Sequence, residues 1–282
     1  MSKVEPALLS IGDICSETGL SADVVRVWER RYGFPVPVRL PSGHRRYRQE
    51  DLHQLRLMAE AVAQGHRPAL VARAGEAALK RLLLPPDNPR VDLLFEAVAR
   101  MDTDRMRQLL RESLEHLGWK QFLQQIVAPL LDRVGMAWAE GGIGVHHEHL
   151  VTEVLEDFLR ELRLECRAQP GRGCVLLCTL PGERHRLGML MAALAYAAQG
   201  SRTEVLGADL PVASIAQAAR TLKADRVAVS LSIQSAGETT RKLIADLKDR
   251  LPSECRLTIG GQGAARTRKV EGVERMMGLD VI

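Results

Sequence analysis

Arginines are concentrated in one stretch near the start of the chain. From Arg26 to Arg48 there are seven arginines and a single acid, Glu29, so the formal charge is +6 in a chain whose total is only +4. Guanidinium groups bind phosphate oxygens through paired hydrogen bonds, and a local basic stripe is the usual footprint of phosphate binding. These residues therefore predict contact with nucleic acid, unless the stripe is only the solvated face of a small helical domain.

Short helices and a proline-rich segment carry these arginines. A first helix is predicted from Ile11 to Glu17, ending at Gly19, and Ser21 is a suitable N-cap for a second helix that stops at Gly33. The segment that follows contains three prolines, which favour strands and turns over helix. Helical periodicity returns from about residue 49. The order is therefore helix, turn, helix, strands and helix.

This order of elements resembles the N-terminal domain of MerR-family regulators, over residues 8 to about 75. The resemblance rests on Arg26-Val-Trp-Glu-Arg30, on Gly43-His-Arg-Arg-Tyr47 and on Asp51-Leu52. It implies a winged helix-turn-helix that binds double-stranded promoter DNA, usually as a dimer. Val24 and Trp28 are expected to face the domain core. The residues expected at the DNA interface are Arg26, Arg30, Arg31, His44, Arg45, Arg46 and Tyr47, with Tyr47 packing back.

A second motif follows the apolar strand predicted at Cys174–Leu180. Glu183-Arg-His185-Arg-Leu-Gly188 resembles the cobalamin-binding motif Asp-x-His-x-x-Gly, with Glu in place of Asp. Between Gly188 and Ser230-Leu231-Ser232 there are 41 residues, and a further 27 separate Ser232 from Gly260-Gly261. These spacings fit the Rossmann-like cobalamin-binding domain shared with methionine synthase and the mutases.

The resemblance implies that His185 replaces the nucleotide base of cobalamin as the lower ligand of the cobalt ion. A neutral imidazole is a good ligand for cobalt. Glu183 is expected to accept the proton on the other ring nitrogen, which fixes the tautomer and raises the basicity of the ligand.

The nucleotide tail of cobalamin is expected to lie beside small residues. Gly188 lets the helix approach closely, and Gly260 and Gly261 leave room because they lack a Cβ atom. Ser230 is expected to hydrogen-bond the base of the tail. Ser232 stands where the family has Leu, which predicts a more polar or slightly shifted tail pocket.

A third motif lies between the other two. Trp138 is followed after nine residues by Glu148-His149. This spacing in a helical bundle resembles CarH- and LitR-type regulators, which are MerR-family photoreceptors that use adenosylcobalamin. The resemblance implies that Trp138, Glu148 and His149 shield the upper face of the cofactor, and that adenosylcobalamin is the form bound.

Ala139 departs from the light-sensing members, which carry a His immediately after this Trp that captures cobalt after illumination. Alanine cannot ligate a metal. We therefore expect either no such adduct or a substitute ligand, for which His146 and His147 are the candidates. An independent metal site at His146–His149 needs ligands from elsewhere, because only His146 and His149 share a helix face.

The pattern of the whole chain predicts a multidomain α and α/β protein. We expect a winged helix-turn-helix at 1–83, a linker at 84–89, a four-helix bundle at 90–168, and a flavodoxin-like or Rossmann-like parallel-sheet domain at 169–282. The last assignment follows from β-rich runs that alternate with helical stretches. The runs are Cys174–Leu180, Thr203–Leu206, Arg226–Ser232 and Arg256–Ile259.

Composition indicates an ordinary globular protein, with 46% hydrophobic and 26% charged residues. Five scattered cysteines are expected to be reduced thiols, with Cys174 and Cys178 packed in a core rather than binding metal. The absence of a leader and of a long apolar run predicts a cytoplasmic protein that does not span a membrane.

Three functions remain open. The first is a DNA-binding repressor controlled by cobalamin, a dimer or tetramer that senses light through adenosylcobalamin. The second is a MerR-type repressor whose cobalamin domain is vestigial or insensitive to light and which is controlled by an antirepressor protein. The third, a cobalamin-dependent methyl-transfer or mutase component, lacks a substrate barrel and leaves the winged helix unexplained, so we expect a protein that is not an enzyme.

Overall fold

The computed structural model describes residues 8–63, 65–83, 88–235, 237–276 and 278. The chain forms two compact units, one built mainly from the N-terminal helices and the other from most of the remaining chain. The helix-turn-helix region, the helical bundle and a parallel sheet with crossover helices confirm the predicted fold class.

The N-terminal unit begins with two capped helices, α1 (Ile11–Thr18) and α2 (Ala22–Tyr32). Serines at positions 10 and 21 cap their N-termini, and Gly19 and Gly33 end them in the left-handed conformation that favours glycine. The antiparallel strands of the wing and three further helices complete the unit. These elements are β1 (Val38–Arg39), β2 (Arg45–Arg46), α3 (Gln49–Ala63), α4 (Pro68–Val71) and α5 (Glu76–Leu83).

The core of this unit corrects one prediction about α2. Trp28 is buried as expected, but Val24 is 37% exposed, whereas Val25 is completely buried. Residues three apart share a helix face, so the residue that accompanies Trp28 into the core is Val25. Val24 lies on the outer face with the arginines.

Four helices form the bundle of the second unit: α6 (Pro89–Ala99), α7 (Thr103–Phe122), α8 (Ala128–Ala139) and α9 (Val145–Glu165). Residues 84–87 of the predicted linker lie outside the described residues, and its last two, Asn88 and Pro89, are the N-cap and first residue of α6. Two irregularities were not predicted. Gly118 kinks α7 with φ 71° and ψ 163°, and a π-helical turn spans Leu123–Val127.

The sheet contains five parallel strands: β3 (Cys174–Cys178), β4 (Arg202–Gly207), β5 (Arg226–Ser230), β6 (Arg256–Gly260) and β7 (Val273–Arg275). Their order is β4-β3-β5-β6-β7, the flavodoxin-like order in which the direction of winding reverses between β3 and β5. The helices that follow the strands are α10 (Leu187–Ala198), α11 (Val212–Leu222), α12 (Glu238–Arg250) and α13 (Gln262–Arg266).

The two faces of the sheet belong to different hydrophobic cores. Val175 and Leu177 of β3 pack into a core shared with α10 and the helical bundle. Leu176 and its neighbours Cys174 and Cys178 face the core formed with α11 and α12. The bundle is therefore joined to the sheet by a continuous apolar core. All five cysteines are free thiols, and among the described residues no helix is long and apolar enough to cross a membrane.

Candidate functional site

His185 lies in the loop between β3 and α10, at the carboxyl edge of the sheet. The side chain of Glu183, two residues earlier, is only 2% exposed. Its Oε1 accepts hydrogen bonds from the backbone N–H of His185 at 2.8 Å and from Nδ1 of the imidazole at 2.6 Å. The imidazole itself is 57% exposed. The carboxylate therefore fixes one side of the ring and leaves Nε2 available.

The second oxygen of Glu183 is held by the loop after β5. Oε2 accepts a hydrogen bond from the backbone N–H of Ser232 at 2.8 Å and another from the Ser235 hydroxyl. Burial raises the pKa of the Glu183 carboxyl, but hydrogen bonds from Ser232 and His185 outweigh burial and hold the pKa below its usual value. An ionised carboxylate is an acceptor only, so the shared proton sits on Nδ1 of the imidazole.

Residues that follow three different strands hydrogen-bond to this loop or to one another beside it. Thr179, just after β3, is buried and donates its hydroxyl to the carbonyl of Glu183 at 2.6 Å. The same hydroxyl oxygen accepts the backbone N–H of Asp209, which follows β4, at 2.9 Å. With Ser232 after β5, the carboxyl ends of β3, β4 and β5 meet here. This is the topological switch point, where open α/β sheets bind ligands.

Several glycines here lie where a side chain or another backbone segment approaches closely. A Cβ atom on Gly188 would lie 2.8 Å from the Ser230 hydroxyl, and one on Gly261 would lie 2.5 Å from the carbonyl oxygen of Leu231. The tightest contact was not predicted: a Cβ on Gly263 would meet the Ser232 carbonyl oxygen at 2.0 Å. Gly260 differs, since its Cβ would make only ordinary contacts, at 3.6 Å or more.

The predicted upper-face residues lie at the junction of α8 and α9. Trp138 is 52% exposed instead of packing in the bundle core. Glu148 and His149 approach each other with 3.6 Å between a carboxylate oxygen and Nε2. The His146 and His147 rings pack with centroids 4.1 Å apart, and Nδ1 of His147 accepts the backbone N–H of Gly144. No group of three or more metal-binding side chains occurs in the described parts of the chain.

The basic surface lies on α2 and the wing. Arg26, Arg30 and Arg31 are exposed on α2, and His44 is exposed at the tip of the wing. A cavity of about 370 Å³ opens beside them. It is lined by the start of α1 and the wing, namely Ser10, Ile11, Gly12, Arg26, Gly43, His44, Arg45 and Arg46. Backbone N–H groups at a helix N-terminus together with guanidinium groups suit a phosphate.

Two of the predicted DNA-contacting residues have different surroundings. Arg45 is half-buried, with Nε 3.0 and 3.2 Å from the two carboxylate oxygens of Glu29 on α2. Tyr47 is completely buried and pairs through its backbone with Leu9, so this conformation does not support a direct DNA contact by its side chain. Burial raises the pKa of its phenol. Tyr47 packs the wing against the domain core.

Family models match three parts of the chain. The model of the MerR HTH family regulatory protein matches residues 9–76, and two models of a B12 binding domain match residues 91–163 and 173–281. The chain is 31% identical over 259 residues to the HTH-type transcriptional repressor CarH of Myxococcus xanthus, covering 87% of this chain and 86% of that protein. For the HTH-type transcriptional repressor CarA of the same organism, the identity is 26% over 262 residues, with coverage of 91% and 87%.

Solved structures also resemble the chain. The monomethylamine corrinoid protein of Methanosarcina barkeri aligns with a TM-score of 0.47 and 17% identity, covering 62% of this chain and 85% of that one. A cobalamin-binding protein from Desulfitobacterium hafniense DCB-2 aligns with a TM-score of 0.32 and 19% identity, covering 61% and 83%.

Proposed function

The chain belongs to the family of MerR-type, B12-binding transcription regulators that includes CarH and CarA, and from this premise we propose that it is a repressor whose binding to promoter DNA is controlled by cobalamin. One observation supports the proposal that the chain binds cobalamin. His185 stands at the switch point of the sheet with Nδ1 bound to a buried carboxylate, which leaves Nε2 as a metal-ligating atom.

The residues of the His185 loop fit cobalamin with His185 as the cobalt ligand. Glu183 holds the imidazole in the tautomer that a metal requires, and Ser232 and Ser235 in turn fix Glu183. A Cβ atom on Gly260 would meet only Met276, at 3.6 Å, so this position is not blocked by its own fold. When bound, cobalamin supplies a cobalt ion with an exchangeable upper ligand, which is the chemistry that a sensor needs.

The upper face is assigned to the bundle. An exposed indole such as Trp138 provides a flat apolar surface for an adenosyl group, and the carboxylate of Glu148 can accept hydrogen bonds from its hydroxyls. His149 lies beside that carboxylate. This arrangement supports adenosylcobalamin as the bound form.

Reconstitution tests the ligand. Purified protein soaked in adenosylcobalamin in the dark and then desalted is expected to stay red. His185→Ala is expected to lose most of the corrinoid or to change its spectrum, whereas His116→Ala, which removes an exposed histidine on α7, leaves both unchanged. A colourless parent protein that still binds DNA would favour the second function, a regulator controlled by a protein partner.

DNA binding is assigned to α2 and the wing. A helix in the major groove can bring Arg26, Arg30 and Arg31 to base edges and phosphates, while the wing brings His44 and Arg46 to the backbone. In a gel-shift titration with promoter DNA, Arg30→Ala is expected to weaken binding and to lower the salt slope by about one unit. Arg100→Ala, an exposed arginine after α6, is the matched control. Equal effects would refute the assignment.

Two arms of the same gel shift test cobalamin control. The affinity for promoter DNA is expected to differ between protein with and without adenosylcobalamin. The reason is that a ligand that binds one oligomeric state more tightly shifts the population towards that state. Identical binding in both arms would reduce the proposal to a plain repressor.

A further inference from the structure

The loop that carries His185 is also held by the bundle. The next residue, Arg186, is the N-cap residue of α10. Its Nε donates a hydrogen bond at 2.9 Å to Oε1 of Glu156 on α9, and its Nη2 lies 3.8 Å from a carboxylate oxygen of Glu153 on the same helix. The backbone of His185 is thus one residue away from an ion pair with the bundle.

Glu156 is a buried charge with two partners of different origin. Its side chain is only 2% exposed, and Oε2 accepts a hydrogen bond at 2.8 Å from Nη2 of Arg160, one turn later on α9. A buried carboxylate requires ionic partners, because an unpaired charge away from water is strongly unfavourable. Arg160 satisfies one oxygen from within the helix, so the other oxygen draws Arg186, and with it the loop, towards α9.

The same face of α9 extends from the upper-face residues to the edge of the sheet. Residues at helical spacings of three and four share this face. They are His149, Glu153, Glu156, Arg160 and Arg163. At its far end, Nη1 of Arg163 donates to the carbonyl oxygen of Thr203 on β4 at 3.1 Å. One polar helix face therefore connects a proposed upper-face residue with the loop of the proposed lower ligand.

We propose that Arg186 and Glu156 are positioning residues that couple the bundle to the lower ligand. Their ion pair fixes the position of the loop that carries His185, whereas Glu183 fixes the orientation of the His185 ring. A displacement of α9 at the upper face is then transmitted to His185 through this pair. The proposal rests on the proposed function, because it concerns the histidine assigned there to cobalt.

The experiment compares two arginines that share one carboxylate. Arg186→Ala removes the link to the loop, and Arg160→Ala removes the partner within the helix. Both leave the buried carboxylate with one arginine partner, so a purely structural role predicts similar losses of stability and similar effects on cofactor binding. Both proteins are prepared with ¹⁵N-labelled histidine, reconstituted and reduced to the cobalt(II) form.

Electron paramagnetic resonance then identifies the axial ligand of cobalt. A ¹⁵N imidazole splits each line into a doublet, whereas the ¹⁴N of the nucleotide base gives a triplet. We expect a doublet in the parent and in Arg160→Ala. In Arg186→Ala we expect a weakened or lost doublet and corrinoid binding about ten-fold weaker, in the range seen when the support of a metal ligand is removed. Arg184→Ala, on the other side of His185 and exposed, is expected to behave as the parent.

Conservative variants keep the test decisive if Arg186→Ala does not fold. Arg186→Lys and Glu156→Gln keep part of the interaction and are expected to reduce the doublet less, with far-ultraviolet circular dichroism as the check on folding. Full doublets and parental affinity in the Arg186 and Glu156 variants, or equal losses in the Arg160 and Arg186 variants, would overturn the positioning role. A parent that shows no doublet would instead refute the proposed ligation by His185.

Discussion

At the scale of single residues, two glycines near the His185 loop are expected to have different roles. Gly188 allows close packing within the protein, whereas Gly260 is assigned to the cofactor site. Gly188→Ala is expected to destabilise the protein by about 1–3 kcal/mol, because its Cβ would overlap the Ser230 hydroxyl. The double variant Gly188→Ala/Ser230→Ala removes the obstructing oxygen and is expected to recover most of that loss. Thermal unfolding of the protein without cofactor measures both effects.

Gly260→Ala is the matched control, because its Cβ would make only ordinary contacts. We expect its unfolding midpoint to equal that of the parent while its affinity for cobalamin falls, since the added methyl occupies room assigned to the nucleotide tail. Unchanged affinity would contradict that assignment. An equal loss of stability in Gly188→Ala and in the double variant would show that Ser230 is not the obstacle.

Cys178 provides a second prediction at this scale. The side chain is completely buried in β3, and burial raises the pKa of its thiol to about 12. At neutral pH this leaves on the order of a thousandfold less thiolate than in an ordinary cysteine with a pKa of about 8.5. Iodoacetamide is expected to spare Cys178 in the folded protein and to label it after unfolding. Peptide mapping that finds Cys178 labelled as fast as the half-buried Cys166 would contradict this.

Sequence reasoning succeeded where the site is local and failed where it is not. Glu183 and His185 are two residues apart, so their pairing follows from the motif itself. Ser235 contacts the same carboxylate although it lies 52 residues later in the chain, and Glu156 and Arg186 are 30 residues apart. No local sequence pattern predicts either contact. Tyr47 packs back as expected, but the partner that fixes it is also distant, because its antiparallel pairing with Leu9 places it in the core.

At the scale of elements, the ion pair between Glu29 and Arg45 ties the wing to α2. In this pair the carboxylate neutralises an arginine on the face proposed to bind DNA. Glu29→Ala is therefore expected to tighten binding to random-sequence duplex DNA and to steepen the salt slope by about one unit, because one more cation becomes available to phosphate. Fluorescence anisotropy at several salt concentrations measures the slope.

Glu115→Ala controls for net charge, since it removes an exposed acid on α7 in the bundle and is expected to leave the slope unchanged. A shallower slope in Glu29→Ala would show the opposite role. In that case the ion pair holds β2 in its DNA-contacting position, and its loss costs more contacts than it frees.

The regular elements were predicted more closely than the irregular ones. The predicted strand at Arg256–Ile259 is extended by one residue in β6, because alternation and flanking turns define a buried strand locally. The π-helical turn at Leu123–Val127 interrupts a segment whose apolar spacing is helical throughout, so its cause lies in packing. The short helix α13 contains Gly263, which has low helix propensity, and the backbone N–H of Gly263 donates to the carbonyl of the distant Leu231 at 3.0 Å.

At the scale of the whole molecule, the proposed control by cobalamin requires that a change at the bound cofactor alter the bundle and the proposed oligomer. Ala139 stands where the motif resemblance led us to expect a histidine, and it is exposed at the end of α8, next to Trp138. An alanine side chain offers no atom that binds metal. If cobalamin binds, the parent protein is therefore expected to supply no second histidine to the cobalt ion after illumination, unless His146 or His147 substitutes.

Ala139→His tests this at the level of assembly. The variant is expected to form a stable adduct with two histidine ligands after illumination, seen as a new absorption spectrum, together with a change in mass by size-exclusion chromatography with light scattering. Ala139→Asn, of similar polarity but without an imidazole, is expected to behave as the parent. If the parent already forms the adduct and keeps it in both His146→Ala and His147→Ala, neither histidine substitutes. Only a ligand with different affinities for two states can shift their populations. A variant that gains the adduct without any change in mass or DNA binding would therefore show that ligation of the cobalt ion does not control this protein.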